Sequence, residues 1–147
     1  MTQRSFQRNN RRDTNIQMHT NDTNKIIHPE LSYKLTGIFY EVHNKLGRYC
    51  REKQYADAIE LLLKNNNLLF ERERNLPIEG VANDYTNKVD FEIDNKILVD
   101  IKSKRFITKE DYYQMQRYLK AANHKLGLIV NFRNRYLKPI RIIRINS

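Results

Sequence analysis

The chain has 147 residues, enough for one domain around a single hydrophobic core. Its formal net charge of +10 favours a polyanionic partner, nucleic acid ahead of an anionic membrane surface or an acidic protein. No run approaches the ~20 apolar residues that span a bilayer, no apolar stretch marks a secretory signal, and the one cysteine, Cys50, excludes an internal disulfide and a cysteine-based metal site; a reducing, cytoplasmic compartment is the expectation.

Residues 1–28 are rich in Asn, Arg, Thr and Gln and nearly free of large apolar side chains, so they read as a basic, disordered tail, with the domain following over 29–147. Leu31, Leu35, Ile38, Phe39, Val42 and Leu46 recur at helical spacing, and Gly47 supplies a stop. A second helix starts near Arg51, with Tyr55, Ala58, Ile59, Leu62 and Leu63 as its stripe, and ends in Asn65-Asn66-Asn67. The period then shortens. Leu68–Glu71 and Leu76–Glu79 read as short extended segments, the second at an edge because of Pro77. Val89, Phe91 and Ile93 alternate with polar residues, Asp94-Asn95-Lys96 reads as a turn, and Ile97, Val99 and Ile101 resume the alternation, which makes a hairpin. Thr108 with Asp111 opens a third helix that runs to about Ala122, and Leu126–Asn131 and Ile140–Ile145 are the last strands. The order α-α-β-β-β-β-α-β-β predicts an α/β (α+β) domain, one central mixed sheet flanked by helices.

The hairpin carries the chemistry. Centring its turn on Asn95 opposes Ile93 to Ile97 and Asp90 to Asp100. One face then holds Val89, Phe91, Ile93, Ile97, Val99 and Ile101, and the other Lys88, Asp90, Glu92, Leu98, Asp100 and Lys102. A slip by one residue would mix charge into both faces and forfeit several large side chains at roughly 1.5–3 kcal/mol each. Two carboxylates with Cβ atoms about 4.5–5.5 Å apart repel. Either Lys102 on the same face or a divalent cation, Mg²⁺ or Mn²⁺ for oxygen-only ligands, would compensate them; the alternative is a solvated face. The four histidines show no metal-ligand spacing, Cys50 has no catalytic partner, and four glycines leave little room for a phosphate loop.

Asp90, a turn, then Asp100-Ile101-Lys102 resembles the D…(D/E)xK core of the PD-(D/E)XK nuclease superfamily. Gly47, Glu52 and Tyr55 are similar to the GxxExxY family's G-x-G-x-x-E-x-x-Y pattern, with Tyr49 where the second glycine stands. Gln114-Met115-Gln116-Arg117-Tyr118-Leu119-Lys120 resembles that family's Q-x-x-x-Y-L-K helix, and Leu126-Gly127-Leu128-Ile129-Val130-Asn131-Phe132 its L-G-L-L-x-N-F strand. The four segments fall in the family's order. The resemblance implies a restriction-endonuclease-like core and Mg²⁺- or Mn²⁺-dependent phosphodiester hydrolysis on nucleic acid, DNA foremost.

It further implies that Asp90, Asp100 and the backbone carbonyl of Ile101 hold the metal, with Glu52 a direct or water-mediated ligand. Lys102 would orient the attacking water or stabilise charge on phosphorus, and Gln114 would contact that water or the substrate backbone. Helical spacing sets Glu52 on the side of Tyr55, among buried residues; the alternative is an exposed first-turn glutamate. Arg72, Arg74, Lys104 and Arg105 are candidates to line a groove for phosphates, and Arg133, Arg135, Lys138, Arg141 and Arg144 form a second basic cluster; the alternative for either is a solvated face. A catalytically silent nucleic-acid-binding module of the same fold, and a protein-interaction subunit, are the competing readings.

Overall fold

The structure is a computed structural model that describes residues 27–77 and 87–145. Most of the basic tail therefore lies outside the described residues. Its last two residues depart from the expected tail: Ile27 is buried in the core, and its carbonyl accepts a hydrogen bond from Arg141.

Helix α1, Pro29–Leu46, starts on a proline, whose missing N–H costs nothing in a first turn, and buries Leu35, Ile38, Phe39 and Val42. It ends at Gly47, whose φ of 78° an L side chain would resist. Helix α2, Glu52–Asn65, buries Tyr55, Ala56, Ile59 and Leu63 and stops where Asn67 takes the left-handed region. Strands β1 (Phe70–Asn75), β2 (Lys88–Ile93) and β3 (Ile97–Lys102) follow, then helix α3 (Lys109–Ala122) and strands β4 (Leu126–Asn131) and β5 (Ile140–Ile143). The strands form one sheet in sequence order, antiparallel except for the β3–β4 pair, which α3 connects.

Helices α1 and α2 cover one face, packing on Phe91, Ile93, Ile97, Val99, Ile101, Leu128 and Val130. The other face is a second core: Met115, Tyr118 and Leu119 of α3 meet Leu98, Ile129 and Ile142. Both central strands are therefore buried on both sides, as a parallel pair requires. This is the expected single-domain α/β architecture, with the sheet between two helical layers.

Two expectations change. Among the described residues, the region before the hairpin holds one strand, β1, where two short segments were predicted, and the described elements run α-α-β-β-β-α-β-β. Leu76 and Pro77 lie beyond β1, and residues 78–79 lie outside the described range. The second change is Val89, which belongs to the α3-side core rather than to the face of Phe91 and Ile93. Both edge-side strands switch faces at this level. In β1 the switch is Glu73, held at φ 56° between the pairs Arg72↔Phe91 and Arg74↔Val89, so Arg72 lies over Phe91 while Arg74 reaches Glu92 on the opposite face. Glu73 stands across from Asp90, where β2 leaves the regular ladder.

Candidate active site

The β2–β3 register is the one the sequence specifies, with Ile93↔Ile97, Glu92↔Leu98 and Phe91↔Val99. The regular ladder stops there. One step further, the backbone N–H of Ile101 donates to the Asp90 carboxylate at 2.6 Å. A side chain has replaced a backbone acceptor, and this draws the Asp90 carboxyl over β3 into hydrogen-bonding contact with Asp100. Asp100 is buried, and parallel pairing fixes it between β2 and β4, where it stands opposite Ile129.

Burial, then the Asp100 charge and the hydrogen bond to it, push the Asp90 carboxyl up to about 8; Glu52 adds to the effect and the Ile101 N–H opposes it. The pair holds a proton to higher pH than an ordinary carboxyl would, the outcome expected when like charges are forced together without a cation. Lys102 supplies part of the missing charge. Its ammonium lies 2.8 Å from Asp100 and 3.2 Å from the Gln114 side-chain carbonyl oxygen, with Asp111 at 3.7 Å. Burial works against that ammonium, but Asp100, Asp111 and Glu52 outweigh it and raise its pKa. Tyr118 borders the pair, and burial together with the Asp100 charge lifts its hydroxyl to about 12, so it stays neutral.

Glu52 is an exposed first-turn residue of α2, not a member of the buried stripe. Its carboxylate accepts the backbone N–H of Ser103 at 3.1 Å, which ties α2 to the end of β3. The reason lies in the loop before the helix. The Tyr55 hydroxyl donates to the Gly47 carbonyl at 2.6 Å and accepts the Cys50 N–H at 3.0 Å, while its ring stacks on Phe132 at 4.3 Å. The Ser103 hydroxyl donates to the Cys50 carbonyl at 3.1 Å. Gly47, Glu52 and Tyr55 thus act as one unit: a turn, a carboxylate at the helix entrance, and a staple that fixes both.

Four groups at this end of the sheet escape a reading of the sequence as site residues. Asp111 caps α3 through the Thr108 N–H at 2.7 Å and also holds Lys104 at 2.7 Å. Burial opposes its ionisation, but Lys104 and the Thr108 donors keep its pKa below the usual carboxylate value. Its signal was the capping box. Asn131, buried at the end of an apolar strand, donates to the Lys104 carbonyl and accepts the Lys104 and Arg133 N–H groups; a lone polar residue closing such a run was the available clue. Tyr118 entered only as a packing residue of the helix that resembles the family's, and Ser103 gave no signal.

The structure brings together Glu52, Asp90, Asp100, Lys102 and Gln114. Ile101 joins them through its N–H. Arg72 and Arg74 have other partners: Arg72 pairs with Asp57 and Glu60 of α2, and Arg74 with Glu92. Lys104 is held by Asp111, and Arg105 extends over the Phe106 ring. The C-terminal basic cluster divides. Arg133 and Arg135 line a cleft, whereas Arg141 turns inward to Ser32 and Ile27.

A profile of the PD-(D/E)XK nuclease superfamily matches residues 29–145. The chain belongs to that superfamily. Two solved structures share features of its shape. One is the alkaline exonuclease (LHK-Exo) from Laribacter hongkongensis, 12% identical with a TM-score of 0.43, covering 58% of this chain and 52% of that one. The other is SSO0001, 17% identical with a TM-score of 0.49, covering 89% of this chain and 62% of that one. The chain spans about half of the first and somewhat more of the second. No curated protein matches it. Among the described residues, no helix is long and apolar enough to cross a membrane.

The donor set suits the divalent ion that superfamily members use. Every candidate ligand is an oxygen, which favours a hard cation. The raised pKa of Asp90, from burial and then the Asp100 charge, is the mark of a carboxyl pair short of positive charge. The set is also sparse: among the described residues, no three His, Cys, Asp or Glu side chains converge as a metal cage. Two carboxylates fit an ion that keeps most of its waters, as Mg²⁺ does.

Proposed function

We propose that this chain is a nuclease, a phosphodiester hydrolase acting on DNA, and that within the superfamily it is of the GxxExxY kind. The observation that carries the reading is the Asp90–Asp100 contact, with Lys102 and Gln114 beside it. Asp90 and Asp100 would hold Mg²⁺ or Mn²⁺, with the Ile101 carbonyl and Glu52, directly or through water, completing the set. The cation would supply a Lewis acid for a phosphate oxygen and a hydroxide near neutral pH.

The chain's own groups supply the rest. Lys102 carries the positive charge that stabilises the negative charge developing on phosphorus. Gln114 and Asp111 restrain its ammonium, so it reaches the reacting group already oriented. Gln114 keeps an amide nitrogen with which to hold water or a phosphate oxygen. The Tyr55 staple supports the GxxExxY assignment, because it gives the glycine, glutamate and tyrosine one shared task.

Plasmid nicking with Mg²⁺, Mn²⁺ or EDTA tests the proposal. Wild type should nick with either ion and not with EDTA, and Asp100→Ala and Lys102→Ala should each lose activity by two orders of magnitude or more, about 3 kcal/mol of transition-state stabilisation. Activity that survives both substitutions would remove the assigned site. The sparse carboxylate set favours one other reading, a silent binding module, and inactivity with every ion would select it.

A further inference from the structure

Three loops meet beside the candidate active site: the one after α1, carrying Arg48 and Tyr49; the one after β3, with Arg105 and Phe106; and the one after β4, with Arg133 and Arg135. Together with Asn134 they line an open cleft of about 350 Å³. No carboxylate is among the lining residues.

The rings are unusual. Tyr49 is 75% exposed, Phe106 70%, and Tyr136, next to Arg135, 78%. A single exposed aromatic is ordinary. Here each of the three has a guanidinium over its face: Arg48 and Arg133 lie 5.1 and 5.6 Å from the Tyr49 ring, Arg105 5.5 Å from Phe106, and Arg135 5.4 Å from Tyr136. Among the described residues, the Arg133 Nε is the buried side-chain nitrogen or oxygen that has no hydrogen-bond partner.

The loops are fixed rather than gathered by chance. Arg48 Nε donates to the Arg133 carbonyl at 2.8 Å, and the Asn131 side-chain oxygen accepts N–H groups from both Lys104 and Arg133. The same loops adjoin the catalytic end of the sheet. Arg105 follows Lys102 by three residues, and the Phe132 N–H bonds the Lys102 carbonyl at 2.9 Å.

We propose that this arginine–aromatic cleft binds the unstacked bases and phosphates of a single-stranded polynucleotide and delivers it to the Asp90–Asp100 end of the sheet. The delivery rests on the nuclease reading, while the binding does not. Phosphates need only the arginines. Exposed rings add affinity only where base faces are free, and a duplex hides those faces in its own stack. DNA and RNA strands share this chemistry.

Fluorescence anisotropy with the full chain in EDTA tests the proposal, using oligo(dT), oligo(U) and a duplex of matched length. Single strands should bind more tightly than the duplex. The Tyr49→Ala/Phe106→Ala pair should weaken single-strand binding by at least about tenfold and leave duplex binding unchanged. Tyr49→Leu/Phe106→Leu keeps apolar bulk without a π face and should show the same loss. Equal affinity for strand and duplex, equal losses on both, or full retention by the leucine variant would overturn the proposal. So would poly-glutamate competing as well as oligo(dT), which would mark an acidic protein partner. Preference between oligo(dT) and oligo(U) tells which strand the cleft takes. Without divalent ions the assay does not depend on cleavage, so a failed nicking assay leaves its result standing; unchanged binding in variants of a protein that nicks would remove the cleft alone.

Discussion

Replacing Asp90 by asparagine should stabilise the metal-free protein at pH 8 and weaken its hold on Mg²⁺. An asparagine can keep the local geometry, accepting the Ile101 N–H through its oxygen and donating to Asp100 through its amide, but it cannot ionise. In the wild type the Asp90 carboxyl rises from an ordinary 3.8 to about 8 on folding. A folded value above the unfolded one means that the stability this group contributes is complete below pH 3.8 and is lost as pH rises through about 8. At about 1.4 kcal/mol per pH unit, that loss is on the order of 5 kcal/mol across the window. For a domain of this size, the wild-type Tm should fall relative to Asp90→Asn by on the order of 10 °C between pH 5 and pH 8. Mg²⁺ should reverse the loss in the wild type, more at pH 8 than at pH 5, and do little for the variant. Thermal melts in EDTA and in Mg²⁺ measure both effects. Parallel pH dependence for the two proteins would refute the buried carboxyl pair.

Glu92 is buried between His124 and Arg74, and although burial opposes its charge, those partners hold its pKa below the ordinary 4.5. Its stabilising contribution is therefore present above pH 4.5 and lost as pH falls through the lower folded value; Glu92→Gln should cost about 1.5–3 kcal/mol in urea denaturation at pH 7 and flatten the acid limb. Tyr55→Phe keeps the stack on Phe132 but releases Gly47 and Cys50, so it should cost about 1–2 kcal/mol and lower nicking activity without abolishing it. A Cβ at Gly127 would collide with the Met115 sulfur, so Gly127→Ala should destabilise by about 1–3 kcal/mol. Adding Met115→Ala should recover part of that loss, a coupling that a double-mutant cycle reads directly.

The hairpin was legible because two constraints agree: a period-2 pattern in both strands and a turn whose Asp94 and Asn95 tolerate the left-handed φ of 53° and 54° found there. Asp100 and Lys102 sit two residues apart on a strand whose register the pattern specified, so their shared face could be read ahead of any coordinates; Asp90 leaves that register through its side-chain bond to Ile101, and Gln114 was singled out by the resemblance of its helix. Strand β1 could be read only at its start, where Phe70 and Glu71 fall within the expected segment Leu68–Glu71. Its sequence, FERERN, alternates charge with charge, and the apolar half of the pattern is supplied by arginine stems, with Arg72 over the Phe91 ring. Val89 was misassigned because alternation assumes an unbroken ladder, and Asp90 breaks it by using its side chain as an acceptor. Glu52 was set on the side of Tyr55 by spacing, with an exposed first-turn position as the alternative, and its tie to Ser103, just past β3, joins residues 51 apart in sequence. The cleft was present only as the dipeptides Arg48-Tyr49, Arg105-Phe106 and Arg135-Tyr136, each too short to weigh until the fold assembled them.

Crystals soaked in Mn²⁺ at pH 8 and measured for anomalous scattering would test the carboxyl pair most directly. One manganese peak should lie within coordination distance of both Asp90 and Asp100 and be absent from Asp100→Ala crystals. A peak elsewhere, or one that persists in the variant, would contradict it.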